Sequence, residues 1–198
     1  MSEAARRSVP DVRVGSSTNA LTPISSAERS LAAGPRQWGA LALVVAAAVA
    51  ADQATKQLVS SQLALGDEIE VLGPFTIHHV QNSGIAFGLL SNATPVVIVL
   101  TALAVGWMIA FFARSGARHP VLPVGLGLVL GGSVSNLADR VRMGHVTDFL
   151  DLRFWPAFNL ADTFIVVGVL VLLATLVAAD REPRRPRRVS AEAPTHRS

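Results

Sequence analysis

The chain contains no cysteine and no tyrosine. The first absence excludes disulfides, thiolate zinc sites and a cysteine nucleophile. It also leaves no cysteine in the chain itself that could carry a lipid. Several catalytic signatures are missing as well. There is no HExxH, and His78-His79 have no credible third ligand, which argues against zinc hydrolysis and leaves no metal site to propose. There is no GxSxG elbow. No P-loop or dinucleotide fingerprint occurs, so no nucleotide or other organic cofactor is expected. Basic residues are not interleaved with aromatics on one face, so no nucleic-acid partner is expected.

Charge is also scarce. Only 16% of the residues are charged, the net charge is +3, and the charges gather in the tails. What fills the space between them is apolar. Hydrophobic residues make up 51% of the chain, and the mean hydropathy is +0.44. That profile belongs to a membrane protein.

Residues 1–35 are rich in Ser, Ala, Arg and Pro and read as a disordered tail without a cleavable signal peptide. A four-span membrane unit over 36–179 and a second disordered, Arg/Pro-rich tail over 180–198 complete the organisation. Four spans are expected, at about 37–59, 93–113, 120–139 and 158–179, each near the length that crosses a bilayer core. Gly127 and Gly131 sit at the i, i+4 spacing that permits close helix contact. Between the first two spans, Ile69–Leu72 and Phe75–Val80 flank Gly73-Pro74 and read as two short strands. Residues 141–157 read as a loop. The fold class is therefore an all-α membrane protein of four transmembrane helices with a small extracytoplasmic β-sheet.

Lys/Arg bias sets the orientation. Arg6, Arg7, Arg13, Arg29 and Arg36 precede the first span. Arg114 and Arg118 lie in the middle loop, and Arg181, Arg184, Arg185, Arg187, Arg188 and Arg197 follow the last span. Four spans place all three groups on one side, expected to be cytoplasmic. Asp52, Lys56, Asn136, Asp139, Arg140 and Asp162 then share one depth near the outer surface. Asn82 and Asp148 lie in the two outer connections. The inner halves of the helices stay apolar, which disfavours a proton-coupled carrier needing polar groups through the full depth.

Ionisable residues inside a membrane are costly and are functional hypotheses by default. Asp52 and Lys56, at i, i+4, can be an ion pair that lowers insertion cost or two groups facing a site. Asn136, Asp139 and Arg140 fit a supporting cluster in which Arg140 pairs with Asp139. Asp162 opens the last span, and the preceding Asn159 can orient its carboxylate. His145 reads as a solvated interfacial histidine, and Asp151 as a decoy beside Asp148. Lys56 with Ser60 imitates a Ser–Lys dyad but leaves the aspartates unexplained. Two carboxylates at a membrane surface can share one proton, one activating water while the other hydrogen-bonds a scissile carbonyl. The residues alone leave both Asp148 and Asp139 open as the partner of Asp162.

Five blocks carry a resemblance: Asp52-Gln-Ala-Thr-Lys56, Asn82-Ser-Gly-Ile-Ala-Phe87, Gly131 through Asn136 to Arg140, Val146-Thr-Asp-Phe149 and Phe158-Asn-Leu-Ala-Asp162. Taken in this order over about residues 38–179, the chain resembles the lipoprotein signal peptidase (signal peptidase II) family. The resemblance implies a bacterial inner-membrane aspartyl endopeptidase with both termini cytoplasmic and its site at the outer face. It implies a diacylglyceryl prolipoprotein as substrate, cut before the lipidated cysteine, with membrane lipid as the other partner, no cofactor and a monomeric enzyme. The catalytic pair maps onto Asp148 and Asp162. Supporting positions map onto Asp52, Lys56, Asn82, Gly84, Asn136, Asp139, Arg140 and Asn159. The connection from Asp148 to Asp162 is short for that family, which bears on the cleft edge more than on the chemistry.

Overall fold

The computed structural model describes residues 31–84, 94–116 and 119–181. The tails over 1–30 and 182–198 lie outside the described residues, as do Ile85–Phe87 of the second block and Arg118. Four helices form a bundle: α1 (Pro35–Gln62), α2 (Thr94–Ser115), α3 (Leu122–Met143) and α4 (Leu160–Arg181). All four are long and apolar enough to cross a membrane. The third helix outruns its expected end at Asp139 by four residues. It stops where Gly144 takes up left-handed φ (+80°) and donates its N–H to the Arg140 carbonyl at 3.0 Å, a common helix ending.

Helix α3 is the centre of the bundle and packs against the other three. Small residues let it do so. A Cβ on Gly131 would lie 2.7 Å from the Ala48 Cβ of α1, and one on Gly127 would lie 2.9 Å from Val44. The i, i+4 glycine pair therefore forms the α1–α3 seam. On its other side, Gly132 meets the Ala161 carbonyl and the Ile165 side chain of α4. The apolar end of the bundle is closed by Leu41, Phe112, Leu126 and Leu130. There Trp38 meets Phe112 edge-on, with centroids 5.0 Å apart. The outward faces of α2 and α4 stay apolar and exposed, as lipid contact requires: Leu103, Trp107, Val166 and Leu170 are examples.

The sheet has three strands in the order β1 (Glu68–Leu72), β2 (Phe75–Asn82), β3 (Val146–Asp151), all antiparallel. The two expected strands form the β1–β2 hairpin, turning at Gly73, whose φ is +57°. The third strand corrects the sequence reading, which took 141–157 as a loop. Val146-Thr-Asp-Phe-Leu-Asp is too short to announce itself by pattern, and burial on both faces removes the alternation that marks an exposed strand. A bulge between Ile77 and Val80 shifts the β2–β3 register, leaving Val80 opposite Asp148 and Asn82 opposite Val146. Asn82 and Asp148 thereby point to the same face.

The α3–α4 seam yields a prediction. Gly132→Val forces a side chain into the Ala161 backbone, so thermal unfolding in detergent should show a loss of about 1–3 kcal/mol, typical of overpacking. Gly106→Ala, where a Cβ meets nothing within 4 Å, should unfold like the parent. Equal behaviour of the two variants would refute the seam.

Candidate active site

The site is built from the amino terminus of α4. Asn159 precedes the helix and is fully buried. Its Oδ1 accepts the Asp162 N–H at 3.0 Å, and its own N–H donates to Asp162 Oδ2 at 3.2 Å. This reciprocal pair is a capping box. Its consequence is that Asp162 is fixed by the helix start itself. Because Asn159 Oδ1 is turned toward the helix, its Nδ2 faces away and donates to Asp148 Oδ1 at 2.7 Å. One asparagine therefore straps the two carboxylates together. The other oxygens are held as well. Asn82 Nδ2 donates to Asp148 Oδ2 at 2.9 Å, and Asn136 Nδ2 donates to Asp162 Oδ1 at 2.8 Å.

A second network lies behind the first. Lys56 Nζ sits 2.7 Å from Asp52 Oδ2 and 2.7 Å from Asp139 Oδ2, and it donates to Asn136 Oδ1 at 2.8 Å. An ammonium only donates, so it fixes which end of the Asn136 amide faces it and leaves Nδ2 for Asp162. Asp52 Oδ1 accepts the Ala161 N–H at 2.8 Å and so caps α4 from another helix. Asp52 and Lys56 are thus an i, i+4 ion pair, as one reading held, and also part of the site's frame. The expected Arg140–Asp139 pairing does not form, because Lys56 and Gln53 occupy the Asp139 oxygens. Arg140 turns instead into the cleft, where Nη2 donates to the Gly84 carbonyl at 2.7 Å. Its Nε is buried without a partner among the described residues. Gly84 N–H in turn bonds Asn82 Oδ1 at 3.0 Å.

Ser135 and Gln53 were not singled out from the sequence. Ser135 donates to Asp52 Oδ2 at 2.7 Å, and Gln53 Nε2 donates to Ser135 and to Asp139. Their signal was only adjacency: both lie within the Asp52–Lys56 and Gly131–Arg140 blocks.

Asp148 and Asp162 line one cavity of about 400 Å³, together with Asn82, Asn136, Arg140 and Trp155. Burial pushes the Asp148 carboxyl up to about 6; the Asp162 charge adds to this, while hydrogen bonds from Asn82 and Asn159 oppose it. Asp151 is pulled the other way. The Arg153 backbone N–H, at 2.7 Å, and His78, at 3.1 Å, hold it below the usual carboxylate range. Asp139 and His145 line a different cavity behind the sheet. Among the described residues, no three His, Asp or Glu side chains are grouped to hold a metal. Ser60 donates to the Gln57 carbonyl at 3.2 Å, and Lys56 is spent on two carboxylates, so no Ser–Lys dyad exists.

Fold and site together define a multi-pass membrane protein with a cleft lined by two strapped carboxylates at one end of its bundle. Residues 44–178 match the family model described as signal peptidase (SPase) II. The lipoprotein signal peptidase of Pelotomaculum thermopropionicum is 41% identical over 150 residues, covering 75% of this chain and 99% of that one. That of Symbiobacterium thermophilum is 43% identical over 149 residues, covering 72% and 97%. A bacterial membrane enzyme solved by the in meso method at 2.3 Å resolution superposes with a TM-score of 0.69 at 26% identity, covering 75% of this chain and 95% of that one. The chain belongs to the signal peptidase II family.

Proposed function

We propose that the protein is an aspartyl endopeptidase that removes the signal peptide from diacylglyceryl-modified prolipoproteins, cutting before the lipidated cysteine. The observation that carries this reading is the Asn159 strap, which holds Asp148 and Asp162 in one cleft with a donor on each carboxylate oxygen. One carboxylate, ionised, takes a proton from water, whose oxygen attacks the scissile carbonyl carbon. The other, protonated, donates to the carbonyl oxygen. The C–N bond breaks as the first carboxyl passes its proton to the leaving amine, while the second carboxylate takes a proton back from one hydroxyl of the tetrahedral intermediate, leaving the acid and the singly protonated pair. Arg140 Nε supplies a donor for a substrate carbonyl, since a buried N–H without an acceptor is costly until one arrives.

Lys/Arg bias supports cytoplasmic termini and a cleft at the outer face, where diacylglyceryl chains stay in lipid while the peptide crosses the dyad. The reading is tested by incubating purified protein with a diacylglyceryl prolipoprotein and mapping the cut by mass. A product beginning at the lipidated cysteine is expected. No cut, or a cut elsewhere, would overturn it.

The pH dependence follows from the shared proton. The value near 6 for Asp148 already includes repulsion from an ionised Asp162, so it describes loss of the pair's last proton. Below it the singly protonated pair is present. As pH rises through about 6 that proton leaves. The kcat/KM profile should therefore fall on its alkaline side with an apparent pKa near 6, and the kcat limb should lie higher because bound substrate excludes water. A kcat/KM that keeps rising from pH 6 to 8 would sink this assignment.

A further inference from the structure

The strands have two faces, and only one serves the cleft. Asn82 and Val146 share the face that carries Asp148 into the cleft, whereas Gln81 and Thr147 alternate onto the opposite face. Behind that face lies a second cavity of about 220 Å³, walled by α1, α3, β2 and β3. That is room for several waters or a small polar group.

Part of its lining is polar and uncommitted. His79 is 7% exposed, and its Nδ1 bonds the Leu63 carbonyl at 2.9 Å. That bond requires Nδ1–H and leaves Nε2, which has no partner among the described residues, for a ligand hydroxyl. Thr147, 6% exposed, lines it too, and its hydroxyl has no partner among the described residues. Gln57 and Gln81 add amides at the rim.

The charge balance is equally specific. Lys56 and Asp139 reach the wall, but both are committed to the buried network, where Lys56 also pairs with Asp52 and Asp139 accepts from Gln53. Arg142 is exposed at the rim, and no carboxylate pairs with it among the described residues. A cationic ligand would meet Arg142 and gain no free carboxylate. An anion meets the guanidinium, and hydroxyls on that anion meet Nε2, Thr147 and the amides. Met143 on the lining is half-exposed and apolar, as are the exposed Leu58 and Val141 on the same two helices. Such side chains belong in lipid, so the cavity opens where headgroups lie.

We propose that this rear cavity binds a phosphate ester bearing hydroxyl groups, in the membrane a lipid headgroup of the phosphoglycerol type. Arg142 takes the phosphate, and His79 Nε2 with Thr147 takes the hydroxyls. The site is separate from the carboxylate cleft and does not depend on the peptidase reading.

The test uses the full-length protein in detergent, with bound lipid read by native mass spectrometry. Phosphatidylglycerol, phosphatidylcholine and sn-glycerol 3-phosphate are the probes. Phosphatidylglycerol should be retained over phosphatidylcholine. Arg142→Gln should weaken it about tenfold, the scale of a lost charge-assisted hydrogen bond, and Gln57→Leu less. Asp162→Asn should leave retention unchanged. If sn-glycerol 3-phosphate binds with the same Arg142 dependence, the chemistry stands and the source is a soluble ester. Equal retention of both lipids, or indifference to Arg142→Gln, would overturn the site.

Discussion

Asp148→Asn and Asp162→Asn are each expected to lower cleavage of lipid-modified precursor by about 10³–10⁴-fold, the scale for removing an acid/base group from a pair that acts as a unit. Proton count sets the size of the loss. The pair must hold one proton and one negative charge, and an amide in either place can neither accept the water proton nor give one up. Shape is nearly preserved, so the loss should appear in kcat with folding intact. Three other aspartates sharpen the assignment. Asp151 is paired with His78 and Arg153 and does not line the cleft, so Asp151→Asn should stay within a few-fold of wild type. Asp139 is bonded to Lys56 and Gln53 and opens on the rear cavity. Its asparagine variant should lose stability more than chemistry. Asp52 caps α4 through the Ala161 N–H and should behave like Asp139. Near-normal turnover by either Asp148→Asn or Asp162→Asn would end the dyad assignment, and loss of kcat in Asp139→Asn at unchanged stability would move it.

The four spans were legible because composition and length dictate them, and the shared polar depth followed from their alternation. The β1–β2 hairpin was legible from Gly73-Pro74. What could not be read was which polar groups touch. Arg140 looks like the partner of Asp139 because the two are neighbours in sequence, yet helix geometry sends adjacent residues about 100° apart. Asp139 therefore turns toward α1 and Arg140 toward the cleft. In the same way, β3 was hidden because its partner β2 lies some seventy residues earlier and its burial on both faces erases the period-2 pattern. The partner of Asp162 stayed open between Asp139 and Asp148 until family resemblance chose. In three dimensions the Asn159 amide donates to Asp148, which supports Asp148 as the partner.

Lys56→Met should do two kinds of damage, and they can be separated. The ammonium lies between Asp52 and Asp139, at 2.7 Å from each. Removing it leaves two buried carboxylates facing each other, which typically costs about 3–5 kcal/mol. Thermal unfolding should drop accordingly. Lys56→Met with Asp139→Leu removes one of the stranded charges. The Asp52 that remains still accepts from Ser135 and the Ala161 N–H. The double variant should therefore recover stability relative to Lys56→Met, with a coupling of about 1–3 kcal/mol in the cycle. Activity should not recover with it. Lys56 is what turns Asn136 Oδ1 away from the cleft, and without it the amide can present oxygen to Asp162 where nitrogen now donates at 2.8 Å. Asn159 Nδ2 still favours the native orientation, at 3.2 Å from the same oxygen, so the flip is partial. Loss of that charge-assisted bond is worth about 1.5–3 kcal/mol, or roughly ten- to a hundredfold in kcat. Stability and kcat rising together in the double variant would mean that Lys56 serves only the fold. Stability returning while kcat stays low would assign it the second task of aiming Asn136 at the dyad.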